Sequence, residues 1–412
     1  MEHNEDIVEN DAPMEKEEQP KKPKEKFQWK KFLLLSLSYI LVISVTVMAT
    51  LTLWGPEYSK LTELEMVIDQ MFVGEYDKDE LQDAAARAMI TATGDRWSFY
   101  MSAEELAEYQ TELSNSFVGI GVTVVANAEG LGEDITAVTE GGPAQEAGIQ
   151  VGDIIIKVDG TSIAGLSSTE ARDRIVGEEN TQVILTILRG EQELDFTVTR
   201  RTIQVPVATG TLLENNVGLV RIENFNTNCA QETIAAIETL KSQGATALVF
   251  DVRFNPGGYV DEMVKLLDYL LPECVVFREM DYLGNESAEY SDAACLEMPF
   301  AVLVNGDSYS AAEFFAACLR EYDKAIVVGE QTCGKGYYQQ TILLSDGSAV
   351  NLSTGKYFTP NGVNLTEQGG LVPDVPLTVD EETAVDIYLG TIEPEEDPQL
   401  QAAVAALLNT NV

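Results

Sequence analysis

From residue 32 to residue 54 the chain carries no charged side chain, and strongly polar sequence lies on either side. About 20 apolar residues cross a bilayer as a helix, so this run reads as a transmembrane segment. Residues 1–31 are polar, charged and proline-containing, a composition that predicts a disordered tail. Beyond the apolar run the pattern changes three times. Residues 57–115 read as helices: Leu61, Leu64, Met66, Val67, Ile68, Met71 and Phe72 give one apolar face, a second helix opens at Asp79, and Ser102-Ala-Glu-Glu105 has the spacing of a capping box. Residues 116–200 break into short β-branched runs, Val118–Val125, Ile135–Val138, Asp153–Val158, Val183–Leu188 and Leu194–Val198, with short helices at Ala144–Ala147 and Ser168–Ile175. Residues 201–380 alternate strands (Val217–Ile222, Ala247–Asp251, Phe300–Val304, Ala325–Val328) with helices (Glu232–Lys241, Val260–Leu271, Ala311–Glu321), which predicts a layered α/β domain. Residues 381–412 close the chain with an acidic turn and a last helix, Leu400–Leu408.

The charge distribution gives this layout an orientation. Six lysines, Lys21, Lys22, Lys24, Lys26, Lys30 and Lys31, precede the apolar run, and Gly55-Pro56-Glu57 follows it. Positive charge is retained on the cytoplasmic side, so the expectation is a single-pass cell-membrane protein, N-terminus cytoplasmic and the remainder outside. A cleaved signal peptide would have a shorter apolar run and an A-x-A site, so the expected segment is an uncleaved anchor. The net charge is −42, and residues 1–31 hold nine acids against seven lysines, so −40 of it lies further on. Such a surface repels nucleic acid and excludes that class of partner. Five cysteines with no C-x-x-C give no zinc pattern, and no metal or cofactor is expected. Cys274 with Cys295 is the only pair considered for a disulfide.

The one histidine, His3, lies in the charged tail, which excludes a Ser-His-Asp hydrolase for the folded part. A serine nucleophile would then need a lysine as base, and lysine serves only as the neutral amine, in a buried setting that lowers its pKa. Lys335, between Gly334 and Gly336, is the lysine so presented, and the segment Asn305-Gly-Asp-Ser308-Tyr-Ser310-Ala-Ala-Glu313 precedes it. A strand followed by a loop and a serine at a helix start supplies free N–H groups and a positive dipole end for an oxyanion. Sequence physics leaves Ser308 and Ser310 as equal candidates, one of them a helix cap. Asp251-Val-Arg-Phe-Asn255-Pro-Gly257-Gly258 ends a buried strand in a glycine turn, either a plain connection or a second source of oxyanion N–H groups. Gly119-Ile-Gly121, with Val118 before it, has the form of a loop that captures a peptide's terminal carboxylate while the peptide adds as a strand.

In order along the chain, Asp95-Arg-Trp-Ser98-Phe-Tyr-Met101, Gly141-Gly-Pro-Ala with Val151-Gly-Asp-Ile-Ile, Asp251–Gly258, the Ser308–Glu313 segment with Lys335, Tyr357-Phe-Thr-Pro360-Asn-Gly362 and Gly370-Leu-Val-Pro373-Asp-Val375 resemble the carboxyl-terminal processing peptidases, or tail-specific proteases, over about residues 57 to 408. The resemblance implies an α/β peptidase core with an inserted PDZ domain at 116–200. It puts Ser310 on the nucleophile, Lys335 on the general base and Gln339 on a glutamine that positions that base. It implies an oxyanion hole from the N–H of Ala311 and of Gly257 or Gly258. It also places Val118, Gly119, Ile120 and Gly121 around the substrate's C-terminal carboxylate. Protein C-termini are the implied partners, and relatives often dimerise through their helical ends, so a homodimer is possible. Two departures stand out: Tyr309 and Ala312 replace small or hydroxylic residues, and Ile175-Val176-Gly177 lacks an arginine that can couple PDZ domain and core. The rival readings are a catalytically silent PDZ scaffold and a structural envelope protein working through helix-mediated oligomers.

Overall fold

The computed structural model describes residues 29–54 and 59–409, so the expected disorder of the tail, His3 and the lysines up to Lys26 lie outside the described residues. The chain forms two compact units, one up to Asp77 and one from Lys78 onward. The first holds a helix, Trp29–Trp54, whose stretch Trp29–Ala49 has a mean hydropathy of 2.4 and buries none of its surface, long and apolar enough to cross a membrane. A second helix follows, Ser59–Met71, with Leu61, Leu64, Val67 and Met71 exposed.

The second unit centres on a six-stranded sheet: β1 (Ala208–Leu212), β2 (Val217–Ile222), β3 (Ala247–Asp251), β4 (Phe300–Val304), β5 (Ala325–Gly329) and β6 (Val375–Pro376), in that spatial order. Only β1 is antiparallel to its neighbour. Both faces are covered, which is why β3 and β4 are apolar at every residue but the last of β3. Leu248, Phe250, Val302 and Val304 point to a core shared with helices α1 (Cys229–Ser242), α2 (Val260–Leu270) and α3 (Ala311–Glu321). Val249, Ala301 and Leu303 point the other way, onto Leu400, Ala403 and Leu407 of α4 (Pro398–Asn409).

A separate antiparallel sheet joins Phe99–Met101, Val275–Asp281, Glu286–Tyr290, Tyr337–Leu343 and Ala349–Phe358. Its strands are half-exposed and polar-rich, so they lack the apolar runs that mark the central sheet. The segment 57–115 is therefore not wholly helical: helices Lys78–Thr91 and Ala103–Leu113 flank the strand Phe99–Met101, which pairs with Ala349–Asn351. The Ser102–Glu105 box caps the second of these helices as its spacing predicts, with Ser102 N–H donating to Glu105 Oε2 at 2.8 Å.

The β-rich module is a second sheet system over Val122–Ala126, Glu133–Val138, Ile154–Val158, Gln182–Arg189 and Gln192–Thr199. Its own core includes Ile135, Ile155, Leu185 and Val198. The expected single strand Val118–Val125 is two. Gly121 at φ +77° breaks it, and Ser116–Gly119 pairs instead with Arg201–Gln204. The helix at Ser168–Ile175 does meet an arginine: Arg200, not a residue of the Ile175–Gly177 turn, donates from Nε to Ile175 O at 2.7 Å.

The end of β3 is tied to the C-terminal helix by buried charge. Arg253 binds Asp251 at 2.6 Å and Asp397 at 2.7 Å, all three nearly inaccessible, and Arg253 also donates to Gln399 Oε1. Burial alone would lower the guanidinium's pKa, but Asp251 and Asp397 more than offset it and raise it. Asp397 also accepts the N–H groups of Gln399 and Leu400 that open α4. Removing one partner from a buried ion pair costs about 3–5 kcal/mol. Asp397→Ala is therefore expected to destabilise the folded core by about that amount, read as a lowered urea midpoint at unchanged slope.

Candidate active site

The loops leaving β3 and β4 lie side by side at the carboxyl edge of the parallel sheet, where α/β folds place ligands. Polar bonds zip them together. Ser308 Oγ donates to Val252 O at 2.6 Å and accepts from Asn305 N–H at 3.0 Å. Phe254 N–H donates to Asn305 Oδ1, Tyr309 N–H to Asn255 O, and Asn255 Nδ2 to Ile222 O. These bonds separate the two serines that sequence physics left equal. Ser308 is fully buried with its hydroxyl committed to the backbone, whereas Ser310 heads α3.

Ser310 has φ +58° and ψ −126°, a backbone region that a non-glycine residue enters only under constraint. The constraint comes from Glu313. Its carboxylate, with no exposed surface, accepts Ser310 N–H at 2.9 Å and Lys335 N–H at 2.8 Å on Oε2. On Oε1 it accepts Gly334 N–H at 2.7 Å and the Thr332 hydroxyl. Glu313 thus joins the serine turn to the lysine turn.

Of the oxyanion candidates, Gly257 N–H is already committed to Asn255 Oδ1 at 2.8 Å. Among the described residues, the N–H groups of Ala311 and Gly258 have no hydrogen-bond partner. Gly257 has another duty. At φ +87° a Cβ there would stand 2.8 Å from Ser310 Cβ and 2.9 Å from Ala311 N, so only glycine permits this approach to the serine.

Lys335 is half-buried. Burial, the largest influence, holds its amine below the ordinary lysine value, against the opposing pull of Cys333, Asp95 and Glu313. No hydrogen bond joins Nζ to Ser310 Oγ; Nζ lies over the Trp97 ring, 4.7 Å from its centroid. Trp97 and Asp95 come from the segment before the β-rich module. Ser98 Oγ donates to Asp95 at 2.6 Å and accepts Ser353 N–H at 2.9 Å, docking that segment on the antiparallel sheet. Burial would raise the Asp95 carboxyl, but hydrogen bonds from Ser353, Ser98 and Trp97 N–H hold it below its usual value. Sequence reasoning saw Asp95–Ser98 only as part of a motif. No local pattern shows that it walls in a lysine so distant along the chain.

No hydrogen bond joins the Gln339 side chain to Lys335 Nζ. A bulge between Tyr338 and Gln339 sets Gln339 opposite Ser353, and its amide donates to Ser353 Oγ at 3.0 Å and to Tyr337 O at 3.2 Å. In the β-rich module, Ile120 O accepts Ala144 N–H and Gly121 O accepts Thr139 N–H. The N–H groups of Ile120 and Gly121 have no partner among the described residues, and Val118 and Gly119 lie in the strand just before them. Cys274 and Cys295 have separate partners, Ser291 and Glu297, at 3.3 and 3.2 Å.

A two-faced α/β sheet with a helix-borne serine at its carboxyl edge, carrying a small β-rich peptide-binding module, is the layout of a PDZ-containing serine peptidase. Comparison with known proteins agrees. Residues 216–377 match the model of peptidase family S41, and residues 135–189 match a PDZ domain. The carboxy-terminal processing protease CtpA of Bacillus subtilis is 32% identical over 356 residues, covering 81% of this chain and 76% of the relative. A CtpA-like serine protease of Staphylococcus epidermidis is 32% identical over 362 residues, covering 84% and 73%. A crystal structure of an S41 protease homologue from Bacteroides fragilis shares the fold at a TM-score of 0.50 and 17% identity, over 79% of this chain and 90% of that one. The chain belongs to peptidase family S41 and is a serine-type C-terminal processing peptidase.

The two serines are separable by stability. Ser308→Ala strands a buried N–H and a buried carbonyl, at about 1–3 kcal/mol. Ser310→Ala removes only a helix-head hydroxyl that is bonded to no other loop, and is expected to cost less, at most about 1 kcal/mol. Urea unfolding of both variants checks the difference.

Proposed function

We propose that this peptidase is anchored by the helix Trp29–Trp54 with its catalytic part outside the cytoplasm, and that it cleaves exported proteins near their C-termini with Ser310 as nucleophile and Lys335 as base. The observation that carries the assignment is the Glu313 carboxylate, which binds the backbone N–H of both residues and so holds their turns together. Lysines on the N-terminal flank of the apolar run support the orientation.

In this mechanism neutral Lys335 takes the Ser310 hydroxyl proton as Oγ attacks the scissile carbonyl. The oxyanion lies between the N–H groups of Ala311 and Gly258, at the positive end of α3. Collapse of the tetrahedral intermediate expels the amine, which takes the proton back from the Lys335 ammonium, and water then hydrolyses the acyl-enzyme. Burial and the separation of Nζ from solvent lower the cost of deprotonating the lysine. The N–H groups of Ile120 and Gly121 hold the substrate's terminal carboxylate, with Val118 and Gly119 leading the added strand. The Gln339 amide N–H groups go to Ser353 and Tyr337, which leaves its carbonyl oxygen as the acceptor that would position the Lys335 amine.

The test uses the full chain in detergent micelles, an unfolded protein ending in apolar residues, and mass spectrometry of the fragments. Wild type cleaves, and Ser310→Ala and Lys335→Ala each lose at least a thousandfold in rate while keeping the wild-type fold by circular dichroism. Near-full activity in Lys335→Ala would falsify the dyad. Wild type that neither cleaves nor is labelled by a serine-directed phosphonate would leave a silent PDZ scaffold. Because the base must be neutral, kcat/KM rises with pH through the Lys335 pKa. That acid limb is expected below the ordinary lysine range, the direction burial imposes.

A further inference from the structure

Lys335 Nζ sits between two aromatic rings. It lies 4.7 Å from the Trp97 centroid and 5.8 Å from the Tyr309 centroid, and the two rings are 5.8 Å apart with planes tilted by 33°. An ammonium over aromatic faces is attracted by their quadrupoles, and the attraction grows as water is removed. A neutral amine gains little of this, so the rings favour the protonated, catalytically idle lysine. Tyr309 is the same residue that departs from the small side chain of the family pattern, and its backbone is fixed by its N–H bond to Asn255 O.

We propose that Tyr309, together with Trp97, forms an aromatic slot that parks the Lys335 ammonium away from Ser310 Oγ, making Tyr309 a positioning residue for the base. The proposal rests on Lys335 being that base. The other groups around Nζ do not explain its position. Asp95 and Glu313 draw positive charge, but both carboxylates are occupied by hydrogen bonds from Ser98, Trp97 N–H and the turn N–H groups. Arg96 repels it, and its guanidinium stacks on Trp97 at 4.2 Å and donates to Cys333 Sγ at 3.4 Å. Cys333 Sγ accepts from Arg96, and burial keeps the Tyr309 phenol neutral by raising its pKa. The two ring faces are the remaining partners of the charge. To act, Lys335 must lose its proton and leave the slot, and a substrate strand entering beside Tyr309 would displace it in the same movement.

The chemistry separates the π face from apolar bulk. Tyr309→Leu keeps the burial but removes the face, so it disfavours the ammonium and lowers the pH at which Lys335 deprotonates. Tyr309→Phe keeps the face and loses only the hydroxyl. With full-length protein in micelles and fluorescein-labelled casein as substrate, the acid limb of kcat/KM in Tyr309→Leu is expected to move down by about 0.5–1 pH unit. That is a gain of about three- to tenfold at a pH below the wild-type midpoint. Tyr309→Phe overlays wild type, and Trp97→Leu moves in the same direction as Tyr309→Leu. Titration of ¹³C-lysine resonances, with Lys335 assigned by its loss in Lys335→Met, reads the same shift without any substrate. An unmoved or raised midpoint in both leucine variants overturns the slot, as does a Tyr309→Phe profile that follows Tyr309→Leu. A lysine shift without casein cleavage by any form keeps the slot and sinks the peptidase assignment.

Discussion

The site is built on one buried carboxylate. Glu313 is inaccessible to solvent in a protein of net charge −42, yet among the described residues no lysine or arginine forms a salt bridge with it. Its charge is held by oriented dipoles: three backbone N–H groups, one hydroxyl and the start of α3. Bonds from N–H groups to an ionised acceptor are about twice as strong as neutral ones. They offset both the desolvation of the carboxylate and the unfavourable backbone of Ser310, which costs about 1–3 kcal/mol. Remove this acceptor and the turn of residues 332–335 keeps a single backbone bond to the serine loop, Cys333 N–H to Ser308 O at 3.2 Å.

Around that contact, rigidity and freedom are divided by chemistry. The backbone of both loops is pinned by Ser308, Asn305 and Asn255, and the start of the β3 loop is locked by Arg253 between two aspartates. Such bonds have single geometries and leave little room for drift. The Lys335 side chain, by contrast, has only ring faces and the longer-range pull of neighbouring charges such as Asp95 and Glu313, which fall off gently with distance. A fixed backbone around Ser310 and a Lys335 side chain with no hydrogen-bonded seat therefore follow from the kinds of interaction present. Sheet register, a hard constraint, likewise places the Gln339 amide N–H groups on Ser353 Oγ and Tyr337 O.

Much of this architecture could be read along the chain. Runs that are apolar at every position mark β3 and β4, because a strand covered on both faces has no polar side to show. The uncharged stretch 32–54 identifies the long N-terminal helix, and ordered motifs identify the peptidase core and the PDZ domain. The antiparallel sheet was not legible. Strands such as Tyr337–Leu343 and Ala349–Phe358 mix Gln, Ser, Thr and Tyr on faces that are half-exposed, and their partners lie as far off as Phe99–Met101.

By itself, the sequence determined the class of protein: its ordered motifs are those of a serine-type processing peptidase with a PDZ domain. It also determined the layering of the core and its acidic surface, since these depend on composition and local periodicity. Only the tertiary structure decided which serine is free, which glycine N–H is spoken for, and where the lysine points. Those outcomes turn on hydrogen bonds and ring contacts between segments remote in sequence. Val252 occupies Ser308, Asn255 occupies Gly257, and Trp97 crosses from beyond the PDZ domain to meet Lys335. A donor pairs with whichever acceptor the fold brings within about 3 Å, and no periodicity along the chain encodes that distance.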